Sequence, residues 1–300
     1  MEALSTPAPV WPLAALKALR PKQWTKNGVL LAPLIFAKSA FETGLVLKAF
    51  VAVAAFSLLA SGVYVINDWV DRDKDRLHPE KRRRPIAAGH LGLGSAIVLV
   101  VACWSAAAGL GLWLGVPFLG VLGGYLVLQA VYTGGLKHTV LLDVMAIALG
   151  FILRVVAGAT AINVVVSNWL FLCTLLGAVF LGFAKRRAEL SSLEEAAAHR
   201  ANLAEYTVPM LDQMMSIAAA STVLAYGLYT VSSETVAHVG SDRLKFTVPC
   251  VIYGVFRYVF LVHKRGQGGA PEKVLLGDLP IQLTVLAILG IAAWALYFPG

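Results

Sequence analysis

Charge is what this chain has least of. Asp, Glu, Lys and Arg make up 14% of its 300 residues, against 58% hydrophobic ones. That is too few to cover the surface of a soluble protein of this length. Cysteine is scarce as well: Cys103, Cys173 and Cys250 stand singly in separate apolar stretches. With no CxxC spacing and no histidine partner they offer neither a disulfide framework nor a thiolate metal site, and buried packing is their role. The chain has no phosphate-cradling G-x-x-x-x-G-K-[ST] loop, dinucleotide fingerprint, H-E-x-x-H or G-x-S-x-G, which removes the common soluble enzyme classes. The first 27 residues lack the apolar core and small-residue site of a cleavable signal. Linkers are short and no low-complexity tail is visible, so residues 1–300 read as one domain.

What the chain does have is long apolar runs. Nine stretches approach or reach the roughly 20 residues needed to cross a bilayer. They are roughly 28–37 (extended by the preceding amphipathic turn), 45–66, 91–112, 115–133, 139–161, 168–184, 210–232, 244–262 and 278–298. The first is short and interrupted by Pro33. Backbone groups in lipid must be satisfied internally, so these runs predict an all-α, polytopic membrane protein.

Basic residues fall on one side of that arrangement. Lys17, Arg20, Lys22, Lys26, the cluster from Arg72 to Arg84, Lys137, Lys185–Arg187, Arg200, Lys264, Arg265 and Lys273 share it. Only Lys38, Lys48, Arg243 and Lys245 lie opposite. The positive-inside rule therefore predicts a cytoplasmic N-terminus and an external C-terminus in the cytoplasmic (inner) membrane. It also accounts for the net charge of +8 without a nucleic-acid partner.

Three polar islands interrupt the apolar sequence. The first is N-D-W-V-D-R-D-K-D, Asn67 to Asp75, followed by H-P-E-K-R-R-R-P. Four aspartates at the end of a membrane helix are costly unless a cation occupies them. Asp68, Asp71 and Asp75 are spaced i, i+3, i+7, so a continuing helix stacks them on one face and turns Asp73 away. Their hard oxygen ligands suit magnesium carrying a phosphorylated substrate. Arg72, Lys74 and Glu80 read as ordinary solvated loop charges, the two bases pairing readily with the acids, and His78 reads as a solvated loop histidine. The second island, F-A-K-R-R-A-E-L, sets Lys185, Arg186 and Arg187 four spans away as counter-charges for phosphates. The third, Y-T-G-G-L-K-H-T-V-L-L-D, carries Lys137 and His138 in a turn and Asp143 just inside the next span. Arg154 follows on nearly the same face, deeper in the membrane, where ionisable residues mark a site or a buried pair. Arg257 reads as a snorkelling or structurally paired residue. Near the N-terminus, R-P-K-Q-W-T-K-N places Lys22, Gln23, Lys26 and Asn27 at a cavity mouth, with Trp24 as an interfacial aromatic.

These residues resemble the UbiA superfamily of intramembrane prenyltransferases, whose N-D-x-x-D-x-x-x-D hallmark is matched by Asn67, Asp68, Asp71 and Asp75. The resemblance implies about nine helices around a central cavity and magnesium holding a diphosphate through Asp68, Asp71 and Asp75. Most members carry a second aspartate-rich motif after the sixth span, where this chain has K-R-R-A-E-L. That departure, with R-P-K-Q-W-T-K-N, H-P-E-K-R-R-R-P-I-A-A-G, G-L-K-H-T-V-L-L-D and G-F-I-L-R-V-V-A-G, resembles the polyprenyl-phosphate phosphoribosyltransferase branch. It covers the chain to about residue 190. The branch implies 5-phosphoribosyl-1-diphosphate as donor and a polyprenyl (decaprenyl-type) phosphate as acceptor. The expected substrate-binding set is then Lys22, Lys26, Asn67, Arg82, Arg83, Lys137, Asp143, Arg154, Lys185, Arg186, Arg187 and Glu189. The alternatives are a standard prenyltransferase with an aromatic or quinone acceptor, and a transporter without chemistry.

Overall fold

A computed structural model describes residues 11–79, 81–191, 203 and 205–298, and omits the side chain of Gln267. Glu80, Arg200 and the first ten residues of the expected signal-free N-terminus lie outside the described residues. The described chain is helical and without strands. α1 (Trp11–Leu19) precedes a 3-10 segment (Pro21–Leu31) that runs into α2 (Ala32–Phe36). Next come α3 (Thr43–Val70), α4 (Arg72–Leu77), α5 (Leu93–Leu114), α6 (Val116–Gly134), α7 (Leu142–Ala161) and α8 (Asn168–Ser191). α9 (Val208–Val231), α10 (Ser233–Val239), α11 (Val248–Arg265), α12 (Pro271–Gly277) and α13 (Leu279–Tyr297) complete it.

Among the described residues, eight helices are long and apolar enough to cross a membrane. The expected first span differs in form. It begins earlier, at Pro21, as a 3-10 helix, and Pro33 does not interrupt it but opens α2. In the first turn of a helix the missing proline N–H has no partner to lose. The segment still traverses the bundle. Arg20, at its start, pairs with Asp68 near the end of α3. Just beyond its end, the Ala40 N–H donates to the Tyr297 hydroxyl (3.1 Å) and Lys38 to the Val239 carbonyl (2.8 Å), at the end of the bundle where α3 begins.

The helices that carry the polar islands are the inner ones. In α3 and α7, 61% of the most apolar stretch is buried, against 17% in α5 and α6. Since lipid is as apolar as leucine, close packing decides what lies inside, and small residues permit it. Ala52, Ala55, Ala60 and Gly62 accordingly line α3 where it meets its neighbours. Gly158 of α7 matters most: a Cβ there would lie 2.0 Å from the Leu30 carbonyl oxygen. This absence of a side chain lets the 3-10 segment press directly on α7. At the other extreme Gly115, at φ 111°, joins α5 to α6 in a single residue, a conformation L-residues avoid.

Candidate functional site

The aspartate island sits where α3 gives way to α4. Asp71 caps α3, yet the backbone ladder runs on through it: Asp71 N–H donates to the Asn67 carbonyl (2.9 Å) and Asp75 N–H to the Asp71 carbonyl (2.8 Å). The continuing turn buries Asp68 and Asp75 together. One guanidinium nitrogen, Nη1 of Arg84, bridges both carboxylates, at 3.0 Å from Asp68 and 2.7 Å from Asp75. Arg20 closes the other side of Asp68. Asp73 points outward, 72% exposed, and pairs with Arg72 and Arg76. Asn67 Oδ1 accepts from the Thr133 hydroxyl at the end of α6 (3.3 Å). Of the basic run, the short turn Lys81–Arg83 leaves Arg82 and Arg83 exposed and turns Arg84 toward the acids.

Beside this acidic mouth lies a cavity of about 190 Å³ between the inner helices. Its polar wall is Lys26, Arg154, Lys185, Gln129 and the phenols of Tyr64, Tyr125 and Tyr132. Arg154 is buried, and its donors meet neutral groups: Asn27 Oδ1 (2.8 Å), the Gly150 carbonyl (2.8 Å) and the Tyr125 hydroxyl (3.2 Å). Its guanidinium also lies over Phe56, Tyr125 and Phe151, 5.0–5.4 Å from the ring centres. No carboxylate among the described residues pairs with it. Lys26 faces Glu272 Oε2 at 3.6 Å, and Lys185 faces Glu189 at 3.9 Å.

The remaining basic residues of the second island point elsewhere. Arg186 is fully buried against Glu189 and Asp143, with Nε 2.5 Å from Asp143 Oδ2 but not aligned for a hydrogen bond. Asp143 also accepts from the Tyr206 hydroxyl (3.2 Å) and the Val144 N–H (2.8 Å), and the Tyr206 oxygen accepts the Leu141 N–H (2.7 Å). Burial, together with the nearby Asp143 charge, pushes the Tyr206 phenol up, so it stays protonated and able to donate. This network ties α7, α8 and the segment before α9 into one unit. Leu141 adopts φ 65° to enter it and Arg20 adopts φ 53° to reach Asp68, left-handed conformations that cost energy in residues with side chains. Arg187 turns away to Asp212 of α9, at 2.5 Å, where His263 also lies at 3.1 Å.

Lys22 and His138 are exposed, while Lys137 is half-buried in its turn. Trp24 differs from an interfacial aromatic: its indole N–H donates inward to Ser61 of α3 (3.0 Å). Arg257 pairs with Asp278 (2.9 Å), which caps α13, and that pairing holds the Asp278 carboxyl below its usual range. Two participants lie outside every quoted motif, Glu272 and Asp212, while Arg20 opens R-P-K-Q-W-T-K-N without belonging to the expected binding set. Gln23 and Lys26, spaced i, i+3, eclipse only on a 3-10 helix, which sequence reasoning rarely expects over more than a turn.

An all-helical membrane bundle with acids at the mouth of a cation-walled cavity is the build of an intramembrane transferase. Residues 28–277 match the UbiA prenyltransferase family, and the chain belongs to that family. A decaprenyl-phosphate phosphoribosyltransferase of Mycolicibacterium smegmatis is 34% identical over 294 residues, covering 94% of this chain and 92% of that protein. The one of Corynebacterium glutamicum is 36% identical over 288 residues, covering 94% and 86%. In structure, a UbiA homolog from Archaeoglobus fulgidus bound to GPP and Mg2+ superposes with a TM-score of 0.69 at 17% identity, over 94% of this chain and 99% of that one. That likeness establishes the shared fold.

Proposed function

We propose that this transferase moves a 5-phosphoribosyl group from 5-phosphoribosyl-1-diphosphate to a polyprenyl phosphate of decaprenyl type, releasing diphosphate. The observation that carries the reading is the charge of the cavity: Arg154, Lys26 and Lys185 wall it, and the hydrogen-bond partners of Arg154 among the described residues are all neutral. Two phosphorylated substrates need more cations than a prenyl diphosphate and a neutral acceptor do. The names of the curated relatives support the same reading.

The acidic mouth offers a divalent cation two convergent carboxylates, since a single cationic nitrogen already bridges Asp68 and Asp75, although no group of three such ligands is assembled among the described residues. Those two carboxylates, with Asp71, would hold it, and magnesium bound there would neutralise diphosphate charge. Arg20 and Arg84 keep the acids charge-balanced and supply donors to the diphosphate as it departs. Lys26, Arg154 and Lys185 then hold the phosphates that remain, one of them on the lipid. An oxygen of the lipid phosphate forms the new bond to ribose C1 as the C1–O bond to diphosphate breaks. The attacking phosphate is already ionised near neutral pH, so the reaction needs positioning and cation clamps, not a strong base. Direct displacement gives inversion at C1. The basic bias of this end supports a site on the cytoplasmic face of the inner membrane.

The test uses purified protein in nanodiscs with magnesium, radiolabelled phosphoribosyl diphosphate and polyprenyl phosphate. Label passes into the lipid phase and is lost with EDTA or Asp68→Ala. Transfer from prenyl diphosphates to an aromatic acceptor, with none from phosphoribosyl diphosphate, would overturn the assignment. A retained anomer would overturn single displacement.

A further inference from the structure

A second chamber of about 280 Å³ adjoins the central cavity and shares Lys26, Phe151, Leu181 and Pro271 with it. Its walls are otherwise largely apolar, yet two polar atoms there have no hydrogen-bond partner: the Tyr258 hydroxyl and Glu272 Oε2, whose ion-pair partner Lys26 stays 3.6 Å away, beyond hydrogen-bond range. Both side chains are more than nine-tenths buried, at 9% and 7% exposure. An unsatisfied buried acceptor of this kind costs free energy unless something donates to it. Glu272 is nonetheless held in place, since Gln23 Nε2 donates to its other oxygen at 2.7 Å.

The 3-10 segment connects this chamber to the acidic mouth. Side chains three residues apart eclipse on a 3-10 helix, about 6 Å apart along its axis. Gln23 and Lys26 therefore share one side of the segment and both contact Glu272, while Arg20, the left-handed residue that precedes the segment, contacts Asp68. Glu272 is thus tied, through Gln23, to the same short stretch of chain whose Arg20 holds Asp68, one of the aspartates that would receive the diphosphate.

We infer that Glu272, assisted by Tyr258, recognises the ring hydroxyl groups of the donor and so selects a sugar diphosphate over an isoprenoid one. This rests on the phosphoribosyl transfer proposed above. A ribose hydroxyl donates to Glu272 Oε2 and accepts from Tyr258. A prenyl chain offers only C–H groups and leaves both atoms without a hydrogen bond. Sites built to hydrogen-bond a substrate hydroxyl reject analogues that lack it far more strongly than apolar pockets reject an added methylene.

The experiment compares phosphoribosyl diphosphate with its 2-deoxy and 3-deoxy analogues in the native protein, Glu272→Ala and Tyr258→Phe, all full-length in nanodiscs. In the native protein one deoxy donor loses at least about 100-fold in kcat/KM. In Glu272→Ala that penalty shrinks to under about 10-fold, and in Tyr258→Phe it falls several-fold. The penalty is a ratio within one preparation, so incomplete folding of a variant cancels. If Glu272→Ala does not fold at all, Tyr258→Phe, which removes a single hydroxyl, decides. A Glu272 that merely anchors α12 lowers activity on all donors equally and leaves the penalty unchanged, which would overturn the inference alone. No phosphoribosyl transfer by the native protein overturns the proposed function as well, in an arm that carries no substitution.

Discussion

Arg186 and Arg154 are both buried arginines on inner helices, and their surroundings are opposite. Arg186 meets Asp143 and Glu189, so its charge is cancelled inside the protein. Arg154 meets an amide oxygen, a carbonyl, a phenol and three aromatic faces, so among the described residues its hydrogen-bonding is satisfied by neutral groups alone. A buried cation held only by neutral groups is stabilised further by any anion that enters. The pair teaches that the basic residues of one cavity divide into those that build it and those that serve it. Adjacency in sequence does not sort them.

The largest expected effect separates the two directly. Asp143→Ala leaves Arg186 with only one of its two counter-charges in a buried site and should cost up to about 3 kcal/mol, the lower end for a buried charge that loses its partner. It is read as a sharp fall in the thermal midpoint of the detergent-solubilised protein. Arg154→Gln keeps a neutral side chain among neutral partners, so its midpoint moves far less. Its phosphoribosyl transfer falls by about 100-fold or more, on the scale of removing one preorganised charge donor. Equal midpoint losses in the two variants would abolish the distinction.

A double change sharpens it. Asp143→Leu with Arg186→Met replaces a buried ion pair by apolar groups of similar volume, which is often neutral for stability. The thermal midpoint should recover most of what Asp143→Ala loses. Continued instability would mean that the hydrogen bonds from Tyr206 and Val144 carry the network, not the charge pair.

The smallest effect concerns pH. Burial alone would push the Glu272 carboxyl up, but Lys26, a backbone N–H, Gln23 and Lys185 together hold it below its usual 4.5. The folded state therefore binds fewer protons than the unfolded one in that window. Its stabilising contribution is complete above about pH 4.5 and is lost as pH falls through the lower folded value. The thermal midpoint of the native protein should drop along that limb, and Glu272→Gln should flatten it.

The membrane architecture and the first island were open to reading from sequence because each rests on local pattern. Apolar length needs no partner to be seen, and the placement of Asp68 and Asp75 on one side with Asp73 outside follows from helical periodicity alone. What the spacing could not show is tertiary. Arg84, and not its equally basic neighbours Arg82 and Arg83, turns inward because the chain after α4 folds back over the acids. Lys185, Arg186 and Arg187 face a cavity, a buried carboxylate and α9 respectively, since successive residues on a helix point about 100° apart. Glu272 lies in a stretch that looks generic, and only the fold brings it to Gln23 and Lys26.

The unusual winding of Pro21–Leu31 follows from a shortage of chain. Only sixteen residues, Pro21 to Phe36, separate the acidic end from the far end. As a continuous α-helix they would reach about 24 Å, short of a hydrocarbon core of about 30 Å. Eleven of them in 3-10 form gain about 5 Å and close the gap. The same overwinding brings every third side chain into line. A thread too short to cross relaxed is thereby drawn into a ruler, and two of its marks, Gln23 and Lys26, fall on Glu272.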